Sequence, residues 1–370
     1  MEHYLDNAAT TKTCPEAIEA AVKVMSEIYG NPSSTHTKGR EAKKLLDSCR
    51  RQVADALGAT PAETVFTSCG SESDNWAILC GARSMKRSGM HVITSTVEHD
   101  AVRSSFDVLE SEGFEVTRLR PDSTGKICAD AVAEALRDDT VLVSLMMVNN
   151  ETGAVTDIKE ISSLLKSRAS RALLHTDAVQ GFMKLPFKAS TLGADMISIS
   201  AHKIHAVKGI GALYIKKGLR LPPFICGGHQ EDDRRAGTEA MPQIAAFAAA
   251  CTLDPCIEQM AGMKAELIAS LTQAVPELTY LDTAAPHILN ISMPGWRSEV
   301  LMNFLEAREI YVSKSSACKQ GRRSHVLEAI GMDSASIDGA LRIGLSRYTT
   351  REDLAALTAA LADARKLAHR

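Results

Sequence analysis

Seven short apolar runs, most of them separated by helix-like stretches, occupy residues 64 to 215. They are Thr64–Thr67, His91–Ser95, Glu115–Leu119, Val141–Val148, Ala172–His175, Asp195–Ser200 and Gly211–Ile215. A strand that leads through a helix into the next strand pairs with it in parallel, because no tight hairpin reverses the chain. Parallel sheets are buried on both faces, which suits near-continuous apolar runs. The predicted fold class is therefore α/β: a large unit with a mostly parallel, helix-covered sheet. In such sheets ligands bind beyond the carboxyl ends of the strands. The polar clusters of this chain fall at those ends.

At 370 residues the chain is too long for one ordinary core. After about residue 250 its texture changes. A helix over 256–273 leads to a strand at 288–292, a helix at 299–307 and a strand at 310–313. A helix at 324–330, a strand at 341–345 and a final helix from 351 to 367 follow. We expect a large domain over residues 16–250 and a smaller α+β domain over 251–370, with residues 1–15 packed on the smaller one. Upstream, Ile18, Val22, Met25 and Tyr29 recur at helical spacing and stop at Gly30-Asn31-Pro32, and a second helix is expected over 38–57.

A net charge of −3 gives no reason to expect nucleic acid or an anionic membrane as a major partner. No run of about 18 apolar residues suggests a membrane span. The first residues, Met1-Glu2-His3-Tyr4, have neither the basic nor the apolar region of a secretory signal, so a cytoplasmic protein is expected. Nine cysteines are scattered without a C-x-x-C pair, which disfavours a disulfide framework or a structural zinc site.

Lys203 closes Ser198-Ile199-Ser200-Ala201-His202-Lys203 at one strand end, and Asp177 and Gln180 lie in His175-Thr176-Asp177-Ala178-Val179-Gln180 at another. An amine and a carboxylate so placed suit pyridoxal phosphate. The amine condenses with the aldehyde, and the carboxylate keeps the pyridine nitrogen protonated so that the ring draws electrons. Gly70 and Ser71 open a helix after the run ending at Thr67, where free N–H groups and a hydroxyl suit a phosphate, though Ser/Gly turns cap ordinary helices too. His99, after the strand ending at Ser95, is placed to stack on a planar group and move a proton. Asn150, in Asn149-Asn150-Glu151-Thr152-Gly153, is either a turn residue or an amide donor to cofactor or substrate. Arg342, inside a strand pattern, needs an anionic partner, and a substrate carboxylate would supply one. Cys318 alone among the cysteines lies in a small, polar, basic stretch, with Lys314, Lys319, Arg322 and Arg323 around it, which favours its thiolate.

Taken together these motifs resemble cysteine desulfurases of the NifS/IscS type, within the class V, fold-type I group of pyridoxal phosphate enzymes. The resemblance runs nearly end to end and includes Tyr4–Thr11, Gly30–Ser34, Ser68–Asn75, Glu98-His99, Val148–Glu151, Arg235-x-Gly237-Thr238, Ser315–Cys318 and Leu341-Arg342. It implies that Lys203 is the Schiff-base lysine and that Asp177, Gln180 and His99 meet the pyridine nitrogen, the ring hydroxyl and the ring face. It implies a phosphate cradle of Gly70, Ser71, Ser200 and His202, completed by Thr238 from a second subunit, hence a homodimer. Asn150 and Arg342 would hold the carboxylate of L-cysteine, and Cys318 would take its sulfur as a persulfide, releasing L-alanine. The sulfur acceptor would be an iron–sulfur scaffold or a tRNA-thiolation enzyme of the ThiI type, with no direct contact to nucleic acid.

The chain departs from that pattern in places. Cys69-Gly70-Ser71 stands where Gly-Ala-Thr is common, and Ala201 where glycine is common. The stretch after Cys318, Lys319-Gln320-Gly321-Arg322-Arg323, is shorter and more basic than the usual Ser/Thr-rich one. The alternatives are a selenocysteine lyase, an aminotransferase, which has no need of Cys318, or a sulfur-relay protein that kept the fold and lost the activity.

Overall fold

The computed structural model describes residues 2–293, 295–315 and 323–368. Cys318 lies outside the described residues. The first strand, β1 (His3–Tyr4), pairs far down the chain. Each of the seven apolar runs then becomes a strand: β2 (Thr64–Thr67), β3 (His91–Ser95), β4 (Glu115–Leu119), β5 (Thr140–Ser144), β6 (Leu173–Asp177), β7 (Met196–Ser200) and β8 (Gly211–Ile215). They form one sheet in the order β2-β8-β7-β6-β5-β3-β4. β8 pairs antiparallel with β2 and β7, and every other pairing is parallel, so β8 alone runs against the rest. Every residue of β2, β3, β5, β7 and β8 is buried, as helices on both faces require.

β5 is shorter than its apolar run. Past Ser144 the chain still donates to β6, from Leu145 N to His175 O and from Met147 N to Asp177 O, before turning at Asn149. That drift carries Met146 and Asn150 over the carboxyl edge of the sheet, where both line a cavity.

A second sheet, β12-β13-β10-β9, is antiparallel throughout: β9 (Thr279–Leu281), β10 (Ile288–Ser292), β12 (Ser313–Lys314) and β13 (Ala340–Gly344). The single strand expected at 310–313 is two pieces. β11 (Ile310–Tyr311) pairs with β1, and β12 pairs with β13. Leu289, Ile291, Leu341 and Ile343 pack under Leu357 and Leu361 of the helix Arg351–Ala368. Leu5 joins the same core. Residues 8–14 instead cross to the first sheet, where Thr11 N donates to His202 O and Cys14 N to His205 O.

The helix Pro15–Ser26 forms, but the apolar residues that revealed its period do not face the core. Ala17, Ala21 and Val24 are buried, whereas Ile18, Val22, Met25 and the following Tyr29 are 49 to 71% exposed. The inward face is made of small residues because this helix packs closely on the Ala-rich helix Met241–Cys251. Among the described residues, no helix is long and apolar enough to cross a membrane.

Candidate functional site

The carboxyl ends of β2, β3, β5, β6 and β7 open on one cavity of about 1020 Å³. Its lining includes Gly70, Ser71, His99, Asn150, Asp177, Gln180, Ser200, His202, Lys203 and Arg342, all predicted from the sequence. One predicted residue among those described is not brought there. Thr238 is exposed and does not line the cavity within one chain. Cys318 is not described, but Arg323 and Glu328, just beyond it, are on the rim.

Lys203 ends a single 3-10 turn, Ala201–Lys203, directly after β7. Its Nζ donates to Ala8 O at 2.8 Å and Ala9 O at 2.7 Å. Gln180 Nε2 also donates to Ala8 O, at 2.8 Å, and its Oε1 faces His287 Nε2 at 3.2 Å. The N-terminal strand-and-turn thus orients both side chains. Carbonyl groups leave no trace in side-chain pattern, so this contact was invisible in the sequence.

Asp177 sits at the last position of β6, buried, with Oδ1 accepting from Val179 N at 2.9 Å. Burial pushes its carboxyl up, while His99 and Lys203 pull it back. Two further buried acids, Asp74 and Glu98, flank it and were not singled out in the sequence. Burial raises Asp74 well above the usual carboxylate range, and the charge of Asp177 raises it further. A negative charge on Asp177 thus disfavours one on Asp74. Asp74 Oδ1 lies 3.7 Å from His175 Nε2. This is not an ion pair: burial holds that imidazole neutral, down to about 3, between Ser144 Oγ and Ser198 Oγ. Glu98 is pushed up to about 8 by burial, despite hydrogen bonds from Ser95 Oγ and Met146 N.

On the opposite side, Gly70 opens the helical run 70–84, preceded by Cys69, which supplies no side-chain cap. First-turn N–H groups so left suit an anion. A Cβ at Gly70 would lie 2.7 Å from Val179 Cγ2, so an alanine here would need the Val179 side chain to shift. Ser200 Oγ, buried in the same wall, has no hydrogen-bond partner. His202 is held neutral, down to about 4, chiefly by burial and next by Lys203, and its Nδ1 meets Thr10 Oγ1 at 3.2 Å. His99 caps the helix Asp100–Ser111 by accepting from Ala101 N through Nδ1. A glycine-lined anion cradle, an orphaned hydroxyl, an amine and a buried carboxylate around one cavity fit pyridoxal phosphate.

Arg342 reaches the cavity from β13, where it pairs with Asn290 of β10 and Ser313 of β12. Only 2% exposed, it donates to Asn150 O at 2.8 Å, Asp6 Oδ1 at 3.1 Å and Ser313 Oγ at 2.9 Å. Its Nε has no partner, a buried donor left for an anion. Glu151, beside Asn150, is pushed up to about 7 by burial and accepts from Ser324 Oγ at 2.5 Å.

The model of the family described as "Aminotransferase class-V" matches residues 3–357. A protein of Nostoc sp. named "Cysteine desulfurase" is 40% identical over 363 residues, covering 95% of this chain and 90% of its own length. A solved structure titled "NIFS-LIKE PROTEIN" superposes with a TM-score of 0.93 at 33% identity, covering 99% of this chain and 100% of its own. Another, titled "SspA in complex with cysteine", gives 0.83 at 34% identity over 95% of this chain and 100% of its own.

Proposed function

The chain belongs to the class V aminotransferase family, and from that premise we propose that it is a pyridoxal phosphate-dependent cysteine desulfurase, turning L-cysteine into L-alanine and a persulfide on Cys318. The observation that carries this reading is one cavity bounded by the Lys203 amine, the buried Asp177 carboxylate and the unpaired Arg342 Nε. Gly70, Ser71, Ser200 and His202 would hold the phosphate, Asp177 the ring nitrogen and Gln180 the ring hydroxyl, with His99 against the ring face. Pyridoxal phosphate, when bound, supplies an aldehyde for an amine and a ring that accepts the electrons freed at the substrate's Cα.

The chain's own groups do the rest. Arg342 and Asn150 orient the substrate through its carboxylate, which fixes the Cα–H bond relative to Lys203. Lys203 and His99 move protons at that carbon and its neighbour. The Cys318 thiolate bonds to the substrate sulfur, the C–S bond breaks, and its electron pair passes to the carbon skeleton, which is protonated to alanine.

Thr238, exposed on this chain, would reach the phosphate of a second copy, so the working unit is a homodimer. The exposed stripe of Ile18, Val22, Met25 and Tyr29 supports an apolar subunit contact. The sulfur acceptor is an iron–sulfur scaffold or a tRNA-thiolation enzyme, and the basic surroundings of Cys318 suit an acidic docking surface. A reducing cytoplasm fits eight free thiols among the described residues. We assign a large domain to 16–250 and a small one to 251–370, one for each main sheet, although Ala285, Ile288 and Val326 of the second part join the larger core.

Incubation of the holoenzyme with L-cysteine without reductant, followed by intact-mass analysis and amino-acid assay, tests the reading. One added sulfur mapped to Cys318 with alanine released is expected, and Cys318→Ser abolishes both. Transfer of the amino group to a keto acid with no added sulfur would overturn it.

A further inference from the structure

Glu151 stands where the two sheets meet. Its backbone N–H donates to Asn149 Oδ1 at 2.9 Å, and the same oxygen takes Thr152 N at 2.9 Å. Asn149 Nδ2 donates to Val97 O at 3.0 Å. This turn is therefore fixed to the seven-stranded sheet from below. From the other side it is held by groups of the second sheet and of the chain that follows it. Asn290, on β10, donates from Nδ2 to Glu151 O at 3.2 Å and to Ser315 Oγ at 2.6 Å. The Glu151 carboxyl accepts from Ser324 Oγ at 2.5 Å. Ser324 in turn caps the helix His325–Ala329 by accepting from Leu327 N at 3.1 Å.

Ser315 and Ser324 bracket the segment that contains Cys318. Both are 3% exposed, and both are tied to one residue through different groups: Ser324 to its carboxyl, Ser315 through Asn290 to its carbonyl. Glu151 is only 6% exposed, and a buried carboxyl is costly unless partnered. None of the roles assigned above uses it.

We propose that Glu151 is a positioning residue for the sulfur-transfer step: its carboxyl fixes Ser324, the stem that follows the Cys318-bearing segment, to the cavity wall. The inference rests on the desulfurase reading. An anchored stem limits the reach of the chain that continues from it, and a misplacement of about 1 Å between reacting groups costs on the order of a hundredfold in rate. Glu151 itself touches no reacting atom in this scheme. Its removal slows sulfur transfer and leaves cysteine binding alone.

The experiment follows single-turnover alanine release and persulfide formation in holoenzyme of wild type, Glu151→Gln, Glu151→Ala, Ser324→Ala and the double variant Glu151→Ala/Ser324→Ala. Cysteine affinity is read in parallel from the change in cofactor absorbance. Glu151→Ala and Ser324→Ala each slow alanine release by about tenfold or more with affinity within about threefold of wild type. Glu151→Gln, whose amide oxygen can still accept from Ser324, restores most of the rate. The double variant is no slower than the slower single one, because both remove the same tether. If Glu151→Ala fails to fold, Ser324→Ala against Glu151→Gln decides alone. An active wild type with Ser324→Ala as fast, or with additive losses in the double variant, overturns the inference and spares the desulfurase reading. A wild type that releases no alanine overturns that reading and the inference with it.

Discussion

Burial pushes the Glu98 carboxyl up to about 8, and no charged partner offsets it. The consequence can be read in stability. Between about pH 4.5 and 8 the folded chain holds a proton at Glu98 that the unfolded chain has released, so stability falls as pH rises through that window. Glu98→Gln keeps the volume and removes the titration. Urea unfolding at pH 5 and pH 8 is expected to show wild type losing ~2–4 kcal/mol more than the variant over that interval. Equal losses would mean that Glu98 is ionised in the folded chain. At this scale the sequence was informative only where residue type and strand end coincide: Lys203, Asp177, Gln180, His99 and Gly70 all follow apolar runs. Glu98, Asp74 and Glu151 were missed as buried acids because burial depends on partners far along the chain. Ser324 lies 173 residues from the Glu151 it contacts.

Elements were legible where an apolar run was bounded by turn residues. β2, β3 and β8 fall on their predicted residues, being buried on both faces, and so does the edge strand β4, of which only Leu119 is buried. β11 and β12 were not, because two-residue strands carry too little periodicity and owe their existence to β1 and β13. The helix Pro15–Ser26 shows a different limit. Its most apolar stripe looks outward, and periodicity cannot say which of two apolar faces meets the chain's own core. We read that stripe as subunit contact. Replacing both Val22 and Met25 with glutamate should leave the monomer folded, since both side chains are more than half exposed. It should shift sedimentation toward the monomer and weaken cofactor retention by about tenfold or more, through loss of Thr238 from the second subunit. A variant that stays dimeric would remove the stripe from the interface.

Across the whole molecule, the site depends on parts that only the fold brings together. The N-terminal turn supplies carbonyls to Lys203, five strand ends supply the floor, and β13 delivers Arg342 across the gap from the second sheet. Motifs in order along the chain made the family readable, and several of them, Ser68–Asn75, Glu98-His99 and Ser200–Lys203 among them, follow strand ends of a sheet whose topology fixes their meeting point. The acceptor of the sulfur stayed unreadable, because it is chosen by surface charge and shape rather than by the cavity. All of the proposed chemistry rests on the reading of Lys203 as the amine that engages the cofactor. Borohydride reduction of the yellow holoenzyme, followed by peptide mapping, tests this without reliance on turnover. The pyridoxyl group should be found on Lys203, and Lys203→Ala should lose both the label and the yellow absorbance. A label on another lysine, or an unlabelled and colourless chain after addition of pyridoxal phosphate, would contradict it.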